Sequence, residues 1–324
     1  MTPRLPLALA RAARRIGGRH PAAENAIETA AVDGTAAERD RALPEIDWAR
    51  PPEAARLDSF PAPSGDLARM SMGDPACPTV LLVPGVTGSK EDFTLMMPEL
   101  ARAGWHVVSF DMAGQFESAA AGPERRIPPG ERYDHALFVD DLLAVLAADA
   151  GPAHVVGYSF AGTIAQMALI ARPDLFRSIT LLSCPPLAGN SLRGMRGIGR
   201  FSSLVTGRTG ASLMIWGIRR NFTRVGPARL AFINQRFRST RRSSIDDVIG
   251  LMKHTPDLTA EIALLPVPVM VAVGDHDVWG IRLHRRFARA LGGRLAIYRT
   301  GHSPCETMPH QLARDLDAFY RERE

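Results

Sequence analysis

Lysine is almost missing from this 324-residue chain: Lys90 and Lys253 are the only two among 39 basic lysine and arginine residues. With the abundant alanine, this points to a GC-rich, bacterial genome and not to a function. Cysteine is scarce as well. Cys77, Cys184 and Cys305 are odd in number and widely spaced, which excludes a disulfide framework and a Cys-x-x-Cys metal pattern. They read as buried thiols in a reducing, cytoplasmic compartment. The nine histidines include no His-Glu-x-x-His pair, so no protein-bound metal is expected and no cofactor is called for. No apolar run approaches the roughly 18 residues of a membrane-spanning helix. No nucleic-acid-binding module is visible, and a net charge of +5 is a poor guide to such a partner.

What is present is ordinary for a globular protein, with 46% apolar and 23% charged residues in a length that suits one large α/β domain or two small ones. Residues 1–50 form an Ala/Arg/Pro-rich extension with little strand character, expected to lie outside the core fold. The first twenty residues carry Arg4, Arg11, Arg14, Arg15 and Arg19 and no acid. Arg14-Arg15 suggests a twin-arginine export signal, but no apolar core follows it, so the segment reads as a basic tail.

From residue 56 onward the pattern changes. Pro63-Ser64-Gly65-Asp66 punctuates a hairpin between residues 56–61 and 67–72. Short apolar runs then alternate with helical periodicity. Strands are expected at 79–83, 105–110, 153–158, 179–182, 267–273 and 295–298. Helices are expected at 89–103, where Ser89 and Asp92 are spaced as a capping pair, and at 134–148, 163–171, 281–291 and 307–321. That order builds a mostly parallel twisted sheet with helices on both faces. The alternation stops between residues 187 and 261, which read as a helical lid inserted between two strands. The domain reading is therefore a core of residues 51–186 and 262–324, interrupted by a lid at 187–261.

The chemistry starts at Gly157-Tyr158-Ser159-Phe160-Ala161-Gly162. An apolar strand precedes it and a helix follows. A sharp turn of small residues there would lift the Ser159 hydroxyl out of the sheet as a nucleophile. A buried turn serine is the plain alternative. A serine nucleophile needs a base, and the base needs an orienting acid. Asp275 and Asp277 follow the strand ending at Val273, and His302 follows the next strand. Each candidate sits just after a strand, where ligand groups gather in open α/β sheets.

The core from about residue 56 resembles the α/β-hydrolase family. The order Ser159, Asp277, His302 is that of its triad. Four further segments carry the resemblance. Val83-Pro84-Gly85-Val86-Thr87-Gly88-Ser89 is similar to its oxyanion loop, with Pro84 where the family has histidine. Asp111-Met112-Ala113-Gly114-Gln115-Phe116-Glu117-Ser118 is similar to a second loop, with Phe116 in place of glycine. Gly274-x-x-Asp277 matches the acid loop, and Gly301-His302-Ser303-Pro304-Cys305-Glu306-Thr307-Met308-Pro309 matches the histidine loop closely. The resemblance implies that Ser159 attacks a carbonyl, His302 shuttles the proton, Asp277 fixes the imidazole, and the backbone amides of Val86 and Phe160 bind the oxyanion. Its spacing favours Asp277 over Asp275. Glu306 is expected to brace the histidine loop or cap the last helix, and Cys305 to be a small apolar contact. The implied activity is hydrolysis of an ester, thioester or related acyl bond of a small-molecule substrate. An acyltransferase, or a cofactor-free perhydrolase or haloperoxidase, would share these parts, and a non-catalytic ligand-binding protein would share the fold.

Charge is unevenly spread. Residues 187–255 hold twelve arginines and Lys253 against Asp246 and Asp247, a net +11, which leaves −6 for the rest of the chain. Leu213, Met214, Ile215, Trp216, Phe222, Phe232, Ile233 and Phe237 interleave with the arginines. One reading docks the apolar faces on the core and turns the arginines to water. The sharper reading makes Trp216, Arg219, Arg220 and Arg224 substrate contacts for an anionic acyl substrate. The sequence gives no indication of oligomeric state.

Overall fold

The computed structural model describes residues 28–29, 34–148, 151–195 and 226–322. The strands are β1 (Glu28–Thr29), β2 (Arg56–Ala62), β3 (Gly65–Met72), β4 (Thr79–Val83), β5 (His106–Phe110), β6 (Ala153–Tyr158), β7 (Phe176–Leu182), β8 (Val269–Gly274) and β9 (Arg294–Tyr298). They form one sheet in the order β1-β9-β8-β7-β6-β4-β5-β3-β2. The β2–β3 hairpin is antiparallel and joins β5 antiparallel, while every other pairing is parallel.

The helices are α1 (Gly34–Arg41), α2 (Met97–Arg102), α3 (His135–Ala148), α4 (Phe160–Ala171), α5 (Pro227–Ser239), α6 (Arg242–Met252), α7 (Thr259–Ile262), α8 (Ile281–Ala290), α9 (Pro304–Thr307) and α10 (Pro309–Arg321). Every residue of β4, β6 and β8 is buried, as expected of continuous apolar runs covered on both faces. Alternate residues feed two cores. Leu81, Val108, Val155, Ile179 and Val271 pack with α3, α4 and α8. Val80, Leu82, Val107, Val156 and Met270 pack with α2 and α10 on the other face. This is the two-residue side-chain period of a strand.

Two helices differ from the sequence expectation, and proline explains both. The helix expected over 89–103 is a 3-10 turn at Lys90–Phe93 followed by α2, because Pro98 has no N–H for a continuous ladder. The helix expected over 307–321 is α10, which starts at Pro309, with the short α9 ending just before it.

The expectation that the extension lies outside the core is corrected for residues 34–50. Ala36, Ala37, Asp40 and Trp48 are buried. The Asp40 carboxylate accepts the first backbone N–H groups of α10, from His310 at 2.9 Å and Gln311 at 3.1 Å, where the helix end leaves donors unpaired. Arg39 makes a two-pronged contact to Glu99 on α2, at 2.7 and 2.8 Å. This anchoring lies in single polar residues, and an alanine-rich stretch without apolar periodicity hides it.

Candidate active site

Ser159, Asp277 and His302 follow β6, β8 and β9, whose parallel pairing brings their carboxyl ends to one edge of the sheet. The turn after β6 is tight. A methyl at Gly157 would lie 2.7 Å from the Gly162 Cα and from the Ala161 carbonyl, so glycine lets α4 start directly against the strand. Ala161 fits within α4, fully buried. Ser159 itself adopts φ 54° and ψ −121°, a strained conformation for a residue with a Cβ. Its N–H donates to the Leu182 carbonyl at 2.8 Å, and its carbonyl accepts the Gly162 N–H at 2.9 Å. The strain is thereby held by the neighbouring strand and by the helix.

The Ser159 Oγ lies 3.1 Å from His302 Nε2, and His302 Nδ1 lies 3.1 Å from Asp277 Oδ2. A second glycine makes this approach possible. A Cβ at Gly274 would stand 2.0 Å from the Gly301 carbonyl, so the ends of the acid and histidine loops touch backbone to backbone. Asp277 is fully buried, and its Oδ1 accepts the Trp279 N–H at 3.0 Å. Burial pushes its carboxyl up, but the charge and hydrogen bond of His302, the nearby His284 and the Trp279 amide outweigh that and hold it below the usual carboxylate range. Asp275 is partly exposed and pairs with the adjacent His276 at 2.6 Å. The structure therefore joins Asp277, not Asp275, to the histidine.

The Val86 turn stands over the serine. A Cβ on Gly85 would come within 3.1 Å of the Ser159 Cβ, and the Gly88 N–H closes the turn on the Gly85 carbonyl at 2.9 Å. Phe160 opens α4, so its amide is among those that a helix leaves without an internal partner. Pro84 is buried, and its ring removes only its own N–H. Lys90, next in the chain, is buried and pairs with Glu91, Asp111 and Glu117 at 2.8, 3.3 and 2.6 Å. These contacts fasten the turn to the 111–118 loop, where Phe116 takes φ 39° in place of the family's glycine.

Several neighbours have no prominence in the sequence. The His302 ring is flanked by Tyr158 and Trp279, with centroids at 5.4 and 5.6 Å. The Tyr158 hydroxyl is 2.7 Å from Ser303 Oγ. His284 is wholly buried on α8, with Nε2 3.9 Å from Asp277 Oδ1, and burial pushes its pKa down to about 4. Its position on the apolar stripe of Ile281, His284, Phe287 and Ala288 is the one sequence sign that it faces the core. Cys305 is buried, as expected. Glu306 turns to the inserted segment, where it pairs with Arg229 at 2.7 Å.

Trp216, Arg219, Arg220 and Arg224 lie outside the described residues. Other arginines of the insertion depart from both sequence readings. Arg229 and Arg236 are buried on α5 and bind Asp92, Arg229 at 2.6 Å, so they face neither water nor an open pocket. Among the described residues no group of histidine, cysteine and acidic side chains could hold a metal ion, and no helix is long and apolar enough to cross a membrane.

Comparison with known proteins agrees with this fold. The model of the alpha/beta hydrolase family matches residues 80–315. No curated protein matches the sequence. Among solved structures, a thermophilic esterase from Thermogutta terrifontis is 18% identical, with a TM-score of 0.62 over 82% of this chain and 98% of that one. A membrane phospholipase A described as a bacterial virulence factor is 17% identical, with a TM-score of 0.66 over 89% and 90%. The thioesterase domain from the curacin biosynthetic pathway is 16% identical, with a TM-score of 0.59 over 83% and 100%. At such identities these likenesses describe the fold.

Proposed function

Since this chain belongs to the alpha/beta hydrolase family, we propose that it is a serine hydrolase that cleaves an ester, thioester or related acyl bond of a small-molecule substrate through an acyl-enzyme on Ser159. The observation that carries this reading is the unbroken Ser159–His302–Asp277 chain, with two links of 3.1 Å. The Ser159 Oγ attacks the carbonyl carbon while its proton passes to His302 Nε2. Negative charge moves to the carbonyl oxygen, which accepts hydrogen bonds from the Val86 and Phe160 amides. Such preorganised donors are each worth about 2.7–4 kcal/mol in related chemistry. The carbon–oxygen or carbon–sulfur bond then breaks, and His302 gives the proton to the leaving group. Water attacks the acyl-enzyme in a second pass through the same roles. Asp277, buried and held ionised, keeps the tautomer that leaves Nε2 free to accept.

The named activities of the fold neighbours, an esterase, a phospholipase A and a thioesterase, all concern acyl bonds and support this reading. The segment between β7 and β8, residues 187–261, is the lid in this proposal, with residues 51–186 and 262–324 as the catalytic core.

The test is covalent labelling by a fluorophosphonate together with turnover of p-nitrophenyl esters and acyl thioesters of increasing length. Stoichiometric labelling at Ser159, lost with turnover in Ser159→Ala, is the expected result. A folded protein that neither labels nor turns over any member of the panel would remove the proposal.

A further inference from the structure

The Arg229 guanidinium sits between the two loops that the proposed chemistry must keep in register. Its Nε and Nη2 donate to the two carboxylate oxygens of Glu306 at 3.0 and 2.7 Å. Glu306 lies four residues after His302 on α9. Arg229 Nη2 also donates to Asp92 Oδ1 at 2.6 Å. Asp92 belongs to the 3-10 turn that follows the Val86 turn, and its other oxygen accepts the Ser89 N–H at 3.4 Å. Arg236, two helical turns along α5, binds Asp92 as well and donates to Ser89 Oγ at 3.1 Å. One insertion helix thus holds the turn carrying the Val86 amide and the loop carrying the His302 base.

Residues 45–48 from the N-terminal side close over this helix. Glu45 Oε1 accepts the Ala228 N–H at 2.7 Å, at the positive end of α5. Its carboxylate fills the space that a Cβ at Gly226 would enter, within 2.1 Å. The Trp48 ring lies over the Arg229 guanidinium at 4.2 Å and is buried with Phe116 and Phe232. Stacking on an aromatic face suits a planar guanidinium whose edge N–H groups bind carboxylates. The strap has its own anchor further back, through Asp40 on α10 and Arg39 on Glu99.

We infer that Arg229 is a positioning residue for the acyl-transfer step, setting the Val86 turn against the His302 loop, and that residues 45–48 are the strap that fixes Arg229 in place. The inference rests on the proposed roles of Val86 and His302. Trp48 stacks on Arg229 and packs with Phe116 and Phe232, so its effect on turnover runs through Arg229 or through the 111–118 loop, and the Arg229 variants separate the two routes. A misplacement near 1 Å costs on the order of 100-fold in rate, and a strap that tightens rather than creates the contact controls a part of that.

The experiment compares wild type, Trp48→Ala, Trp48→Phe, Arg229→Met and Arg229→Lys in the full chain. It measures kcat and KM on a short p-nitrophenyl ester and amide hydrogen exchange. In Trp48→Ala, kcat falls about tenfold with KM within twofold, and exchange quickens in residues 86–93 and 302–308 while β6 stays protected. Trp48→Phe, which keeps an aromatic face, retains most of kcat. Arg229→Met loses more kcat than Arg229→Lys, which keeps the charge. An unchanged kcat in Trp48→Ala, or quickened exchange confined to residues 45–48 and α5, overturns the inference and leaves Trp48 a packing residue. If wild type neither reacts with a fluorophosphonate nor turns over, the proposed function fails, and the exchange pattern alone decides whether strap and loops are coupled.

Discussion

The strand-end loops and the inserted segment solve the same problem of placement by different means. Ser159, Asp277 and His302 stand 143 and 25 residues from their partners in sequence, yet each needs only its own strand to reach the site. The parallel ladder of β6, β7, β8 and β9 carries them to one edge. The described part of the insertion has only isolated bridges, Gly189 to Thr255 and Met195 to Trp279, and neither involves α5. That helix is held by Arg229 and Arg236 on Asp92 and Glu306, and by Glu45 at its start. Backbone pairing places a group through a local motif. Side-chain charge places it through a partner far away in the chain, and both partners must be present together.

The largest effects should come from the strand-end side and should concern activity alone. Ser159→Ala should lower kcat by about 10⁶-fold, and His302→Ala by a similar factor, with a melting temperature near that of wild type, because neither side chain belongs to the packed interior of the sheet. A Ser159→Ala protein with near-native turnover would break the comparison at its root. Asp277→Asn should cost about 10⁴-fold through the wrong tautomer. Asp275→Asn, which removes only a partly exposed contact to His276, should cost little. Steady-state kinetics on one ester ranks the two, and the reverse order would transfer the acid's role to Asp275.

The insertion side should respond mostly in stability, its kcat losses being far smaller than those of the strand-end side. Asp92 is buried, and burial alone would raise its pKa. The charges of Arg236 and Arg229 and their hydrogen bonds outweigh this and hold it below its ordinary value. Asp92→Asn leaves two buried guanidiniums with one carboxylate fewer, and breaking a buried pair in this way costs about 3–5 kcal/mol. Urea unfolding at neutral pH measures it, and a loss below about 1 kcal/mol would mean that water reaches the cluster. The pH dependence has a fixed sign. With the folded pKa below the unfolded value of about 3.9, the unfolded chain binds more protons in that range. The contribution is complete above about pH 4 and is lost as pH falls through the folded value. Wild type should therefore lose melting temperature below pH 4 more steeply than Asp92→Asn.

That division also explains what was legible in the sequence. The sheet, the hairpin and the three strand-end loops could be read because apolar runs and small-residue turns are local. Helical periodicity does not show the break before Pro98 in 89–103 or the start of α10 at Pro309. Arg229, Phe232, Ile233 and Arg236 sit at helical i, i+3, i+4 and i+7 spacing, a signal that puts both arginines on the apolar stripe of α5 and that neither sequence reading of the arginines used. Nothing local marks Asp92 and Glu306 as their partners. The strap is less legible still, since Glu45 and Trp48 lie in a stretch whose composition resembles a tail. His284 falls between the two cases: its place on an apolar stripe was readable, but its nearness to Asp277 was not.

His284 offers the finest test, because it touches the strand-end site through burial and not through a bond. Its Nε2 lies 3.9 Å from Asp277 Oδ1, beyond hydrogen-bond reach, and neither ring nitrogen has a hydrogen-bond partner among the described residues. Burial lowers its pKa to about 4, so at neutral pH the ring contributes only a dipole beside a carboxylate already bonded to Trp279 and His302. His284→Leu, close in volume, should therefore reduce kcat by no more than about fivefold, against the 10⁴-fold of Asp277→Asn. Its stability at pH 7 should match or exceed that of wild type, since an unpaired buried polar group is costly. Acid conditions separate the two proteins. The unfolded histidine takes up its proton near pH 6.5 and the folded one only near pH 4, so wild type loses stability as pH falls between those values. The leucine variant should lack that part of the slope in melting temperature against pH. A kcat loss above 100-fold would show instead that His284 closes the gap and donates to Asp277 Oδ1 during turnover, making it a working member of the site.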